Sequence, residues 1–145
     1  MIMSVWKDNH RIVYATLLAI YVLVVFGITL LIRESSGKVF IQTEWLRGYR
    51  SSNPNIYKDN LYNLLLFVPI GVLVGLLSTK YKLFNSIFIG LFVSETIECS
   101  QLIWKLGSFD VDDLFFNSLG AFVGGLLVVM VVWIKRLKKK NIPSD

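Results

Sequence analysis

From Ile12 to Ile32 the chain is apolar almost without a break, with Arg11 at one end and Arg33 at the other. A helix of about 21 residues is long enough to cross a hydrocarbon core of roughly 30 Å. A cleavable signal peptide has a shorter apolar core and a small-residue cleavage site. Neither is seen, so this stretch is expected to remain as a span. Three more apolar runs follow, at 61–77, 83–103 and 114–134. The pattern predicts an all-α, polytopic membrane protein of four transmembrane helices, over about 12–32, 61–77, 83–103 and 114–134. Residues 1–145 are read as one domain, with 135–145 as a basic tail.

Composition supports this reading. Hydrophobic residues make up 54% of the chain and charged residues only 17%, against about 45–50% and 25% in a soluble domain. The formal net charge of +5 comes largely from the tail, so nucleic acid is not an expected partner. Cys99 and His10 are the single cysteine and histidine. That leaves no disulfide framework, no thiol zinc cluster and no Cys-His pair across the predicted spans.

Four spans put both termini on one side. That side carries nine of the 15 lysines and arginines, including Lys80, Lys82 and five in the tail. Basic residues close to spans mark the cytoplasmic face, so both termini are expected to be cytoplasmic. The tail would then lie against anionic lipid. The polar residues of the spans follow from this. Asn63 falls near the outer end of the second span. Glu95, Glu98 and Gln101 fall in the outer half of the third. Asp113 and Asn117 open the fourth, behind Asp110 and Asp112 in the preceding turn. They share one layer, beside a first loop carrying Arg47 and Arg50.

Helical spacing groups them further. At about 100° per residue, Glu95, Glu98 and Gln101 fit in an arc of roughly 120°. Asp113, Asn117, Gly120, Ala121 and Gly124 lie on one face. Gly71 and Gly75 repeat the small-residue spacing, which suggests close packing of the second and fourth spans. Pro69 deprives the Leu65 carbonyl of its helical partner and is expected to kink the second. The stretch from Val39 to Trp45 reads as a partly ordered loop able to rest on the membrane surface.

Carboxylates inside a span cost roughly 2.5–3.5 kcal/mol each on insertion scales, which makes them functional candidates. Glu95 and Glu98 can bind a cation, move a proton, or serve as acid and base. They can equally pair with Arg47, Arg50 or Lys105 and hold helix ends together. Asp110 and Asp112 are read first as caps of the fourth helix. With Asp113 they offer oxygens to a divalent cation such as magnesium or calcium, and no other cofactor is expected. Asn63 and Asn117 are read as hydrogen-bond partners between helices.

Three pieces of sequence together resemble the VanZ-like family of small membrane proteins. The first is Asn63-x3-Phe67-x-Pro69-x-Gly71. The second is Glu95 or Glu98 followed by Gln101. The third is Phe109-Asp110-x-Asp112-Asp113-x3-Asn117-x2-Gly120-x3-Gly124. The turn before the aspartates reads Lys105-Leu106-Gly107-Ser108, where many members carry an arginine. The resemblance implies a role in the bacterial cell envelope, in the plasma membrane. For some members it implies reduced susceptibility to teicoplanin or related lipid-tailed antibiotics.

Three functions are carried forward. The first is an outward-opening polar pocket of Asn63, Glu95, Glu98, Gln101, Asp110, Asp113 and Asn117, with Arg47 and Arg50. It would bind an amphiphilic antibiotic or a lipid-linked wall precursor while the spans contact membrane lipids. The second is a membrane hydrolase or transferase with a glutamate base and an Asp113-bound divalent ion, for which no nucleophile or metal motif is seen. The third is a structural partner or transporter subunit that docks another membrane protein through its glycine faces.

Overall fold

The computed structural model describes residues 2–31, 41–46 and 54–140. Four long helices make up most of it: α1 (Ile2–Leu31), α2 (Pro54–Leu77), α3 (Lys82–Ile103) and α4 (Val111–Lys140). All four are long and apolar enough to cross a membrane, over Asn9–Leu30, Pro54–Leu77, Lys82–Ile103 and Val111–Lys140. This is the all-α membrane architecture expected from the apolar runs.

The helices extend beyond the apolar runs because hydropathy marks where lipid begins, not where helical hydrogen bonding ends. Pro54 opens α2, a position where its missing N–H costs nothing. The helix then continues through Pro69 to Leu77 as one unbroken element. At its far end, α4 carries Lys138, Lys139 and Lys140 in its last turn, where cations complement the helix dipole.

α2 and α4 form the tightest pair, and glycine makes it possible. A Cβ on Gly120 or Gly124 would overlap the carbonyl oxygen of Leu64 or Val68, and one on Gly71 would overlap that of Ala121. The backbones therefore touch at Gly71 of α2 and at Gly120 and Gly124 of α4, as the small-residue spacing predicts. α3 closes the other side. Ser86 Oγ donates to the Gly71 carbonyl at 2.9 Å, and Gly90 leaves room for Ala121.

α1 is peripheral. Only 6% of its apolar window is buried, against 39% for α3 and for α4. It packs through Leu18, Tyr21, Val22, Val25 and Phe26 against a core of Phe67, Ile70, Val74, Val93 and Ile97. The Tyr21 hydroxyl donates to the Leu66 carbonyl at 3.0 Å.

The α3–α4 turn is tightly specified. The Leu106 N–H reaches the Gln101 carbonyl at 2.9 Å and the Lys105 N–H reaches that of Leu102. Lys105 between them is left-handed, with φ 57°. This is the Schellman pattern, with lysine where glycine is usual. Beyond it, β2 (Phe109–Asp110) pairs in parallel with β1 (Ile41–Gln42), Ile41 opposite Phe109 and Gln42 opposite Asp110. Part of the stretch read as a loop over the membrane surface is thus hydrogen-bonded to the turn. Trp45 also meets Phe115 edge-on, with ring centroids 4.9 Å apart.

Candidate functional site: a polar cavity at one end of the bundle

The site is assembled around the start of α4. Asp110 directly precedes the helix, and its Oδ1 accepts the Asp112 N–H at 2.9 Å. That is an N-cap in its usual geometry. The Asp110 N–H in turn donates to Glu98 Oε2 at 2.8 Å, so a side chain of α3 holds the cap of α4. Asp112 faces inward and is only 3% exposed. Its Oδ1 accepts the Leu46 N–H at 2.7 Å, which fastens the first loop to the same point.

The other helices join by amides. Asn63 Nδ2 donates to Asp113 Oδ1 at 2.5 Å, linking α2 to α4. Asn117 Nδ2 donates to Ser94 Oγ at 2.8 Å, linking α4 to α3. Gln101 Nε2 reaches the Thr29 carbonyl of α1 at 3.3 Å. Each pair exchanges polar surface that lipid cannot solvate for a bond between helices.

Between these groups lies a cavity of about 300 Å³. Glu98, Asp110, Asp112, Asp113, Asn63, Gln101 and Asn117 line it, together with Asp59, Asn60 and Tyr62 from the start of α2. Thr29 and Ile28 contribute from α1, and Phe67 and Ile97 give it an apolar floor. Asn60 and Asn117 are 5% and 4% exposed. Among the described residues, Asn60 Nδ2 and Asn117 Oδ1 are buried with no hydrogen-bond partner. Leaving such a group unmet costs about 1–3 kcal/mol. Among the described residues no group of three or more His, Cys, Asp or Glu is arranged to hold a metal ion.

The VanZ/LLP1 family profile matches residues 12–134, most of the chain and all four apolar spans. This chain belongs to the VanZ/LLP1 family. It is similar to protein VanZ of Enterococcus faecium, with 26% identity over 68 residues, 47% of this chain and 42% of that protein. The match thus spans under half the length of that relative. No solved structure matches the chain.

In this VanZ/LLP1 protein the three pieces of sequence that carry the resemblance meet in space. Six of the nine residues expected to form the pocket line the cavity: Asn63, Glu98, Gln101, Asp110, Asp113 and Asn117. Glu95 does not join them and is exposed. The arc of roughly 120° shared with Glu98 and Gln101 is correct, but the buried face of α3 is centred on the Gln101 side. It runs through Val93, Ser94, Ile97, Glu98 and Gln101, which leaves Glu95 about 60° past its edge at helical spacing. Arg47 and Arg50 lie outside the described residues.

Asp59 and Asn60 are not among the expected site residues, because by hydropathy the second apolar run begins at Leu61. Spacing supplied a signal for Asn60. Positions 60, 63 and 67 recur at helical intervals and share a face, which would have been visible with the helix started at Pro54. Of the two aspartates read as caps, Asp110 fills that role and Asp112 is buried in the wall of the cavity. No sequence signal points to the Thr29 carbonyl, since any residue of α1 presents the same group.

Proposed function

We propose that the cavity receives the polar part of an amphiphilic cell-envelope compound, while the surrounding helices contact its acyl part. The observation that carries this reading is the pair of buried amides, Asn60 and Asn117. Each lines the cavity and keeps one polar atom unmet among the described residues. A bound hydroxyl or amide group can accept from Asn60 Nδ2 and donate to Asn117 Oδ1. Carboxyl and amide side chains make this end of the cavity polar, while Phe67 and Ile97 keep its floor apolar. Apolar side chains surround the bundle, with Ile28 and Phe92 exposed.

The distribution of lysine and arginine supports cytoplasmic termini in a bacterial plasma membrane, with the cavity toward the outer leaflet. A lipid-tailed glycopeptide such as teicoplanin, or a lipid-linked wall precursor, has the required combination of polar and acyl parts. Sequestering or shielding such a compound would lower susceptibility to the antibiotic.

Asn117→Leu and Asn60→Leu test this with protein levels held constant. Each variant should stay folded in detergent and lose protection against teicoplanin. Asn60→Leu should melt close to the parent, and Asn117→Leu somewhat lower because it also loses the bond to Ser94 Oγ. Glu95→Gln, outside the cavity, should keep it. Full protection in both asparagine variants would end this reading.

A further inference from the structure

At the opposite end of the bundle from the acidic cavity lies a second cleft of about 230 Å³, lined by Thr79, Lys82, Val129, Val132, Trp133 and Arg136. It sits where α2 ends, α3 begins and α4 leaves the apolar region. Among the described residues no acidic side chain lines it. Lys82 Nζ donates to the carbonyls of Gly75 and Ser78, which closes the C-terminal end of α2. An ammonium has three donors, so one is left to point elsewhere. Arg136 lines the same cleft, so two like charges face one small space. A shared anion would turn their repulsion into a clamp.

The cleft is amphipathic. Its polar side is Lys82, Arg136 and the Thr79 hydroxyl. Val129 and Val132 form its apolar side along α4. Trp133, 62% exposed, stands at the level where indole rings favour the headgroup boundary. We propose that this cleft binds the phosphate of an anionic phospholipid, with the acyl chains running along Val129 and Val132. Free phosphate would meet the same cations but would leave the valine wall and Trp133 unused. The basic cleft is independent of the acidic cavity and of any ligand bound there.

Native mass spectrometry of the 145-residue chain in mixed micelles of phosphatidylglycerol and phosphatidylcholine tests the assignment. The parent should retain phosphatidylglycerol preferentially, and millimolar inorganic phosphate should not displace it. Arg136→Gln should reduce the preference about tenfold or more, the effect of losing a hydrogen bond to a charged group. Arg136→Lys should restore most of it. Lys138→Gln removes an equal charge from the same end of α4, on a different face and outside the cleft, and should leave the preference intact. Equal losses in Arg136→Gln and Lys138→Gln would overturn the proposal in favour of a diffuse field from the tail. So would the absence of any preference in the parent, or full displacement by inorganic phosphate.

Discussion

Asn63 on α2 donates its amide to the Asp113 carboxylate on α4 at 2.5 Å, across 50 residues of chain. The contact lies directly above the stretch where glycine lets the same two helices touch backbone to backbone. It thus fixes the rotation of α4, and with it the direction in which Asn117 faces, one turn further along. A double-mutant cycle with Asn63→Ala and Asp113→Ala should show a coupling of about 1–2 kcal/mol in unfolding free energy. That is between the average for hydrogen bonds within membranes and the value for bonds to charged groups. A coupling indistinguishable from zero would mean that the backbone contacts alone hold the pair.

The glycines differ sharply in what they permit. A methyl on Gly124 would overlap the Val68 carbonyl, so Gly124→Ala must separate α2 from α4. It should cost at least 1–3 kcal/mol, the usual price of overpacking, and reduce the folded fraction on size-exclusion chromatography. Gly27 has nothing within 4 Å of its would-be Cβ. Gly27→Ala should be neutral or stabilising by about 0.5–1 kcal/mol through helix propensity. Similar melting temperatures for the two variants would contradict the close approach of α2 and α4.

The two glutamates should separate just as clearly. Glu98→Ala removes the acceptor of the Asp110 N–H, held at 2.8 Å. Leaving that donor unmet should cost about 1–3 kcal/mol. Amide exchange at Asp110 should accelerate, because the cap of α4 loses its support from α3. Glu95 is exposed, and Glu95→Ala should change stability by no more than about 0.5 kcal/mol. Unchanged exchange at Asp110 in Glu98→Ala would show that the strand pairing of Gln42 with Asp110 suffices to hold the turn.

Hydropathy determined the broad architecture. In lipid the backbone must satisfy itself, so runs such as 12–32 and 114–134 had one stable outcome. Helical period placed Asp113 and Asn117 on a common face and aligned Gly120 with Gly124. The layer holding Asn63, Glu98 and Asp113 was legible for the same reason, since the depth of each residue follows from counting along a span. Two things were not. Which side of α3 faces inward depends on the neighbours it packs against, and that decided between Glu98, which is buried, and Glu95, which is not. The first loop carries no periodicity, so its pairing of Ile41 with Phe109 depends on where α3 and α4 place the turn.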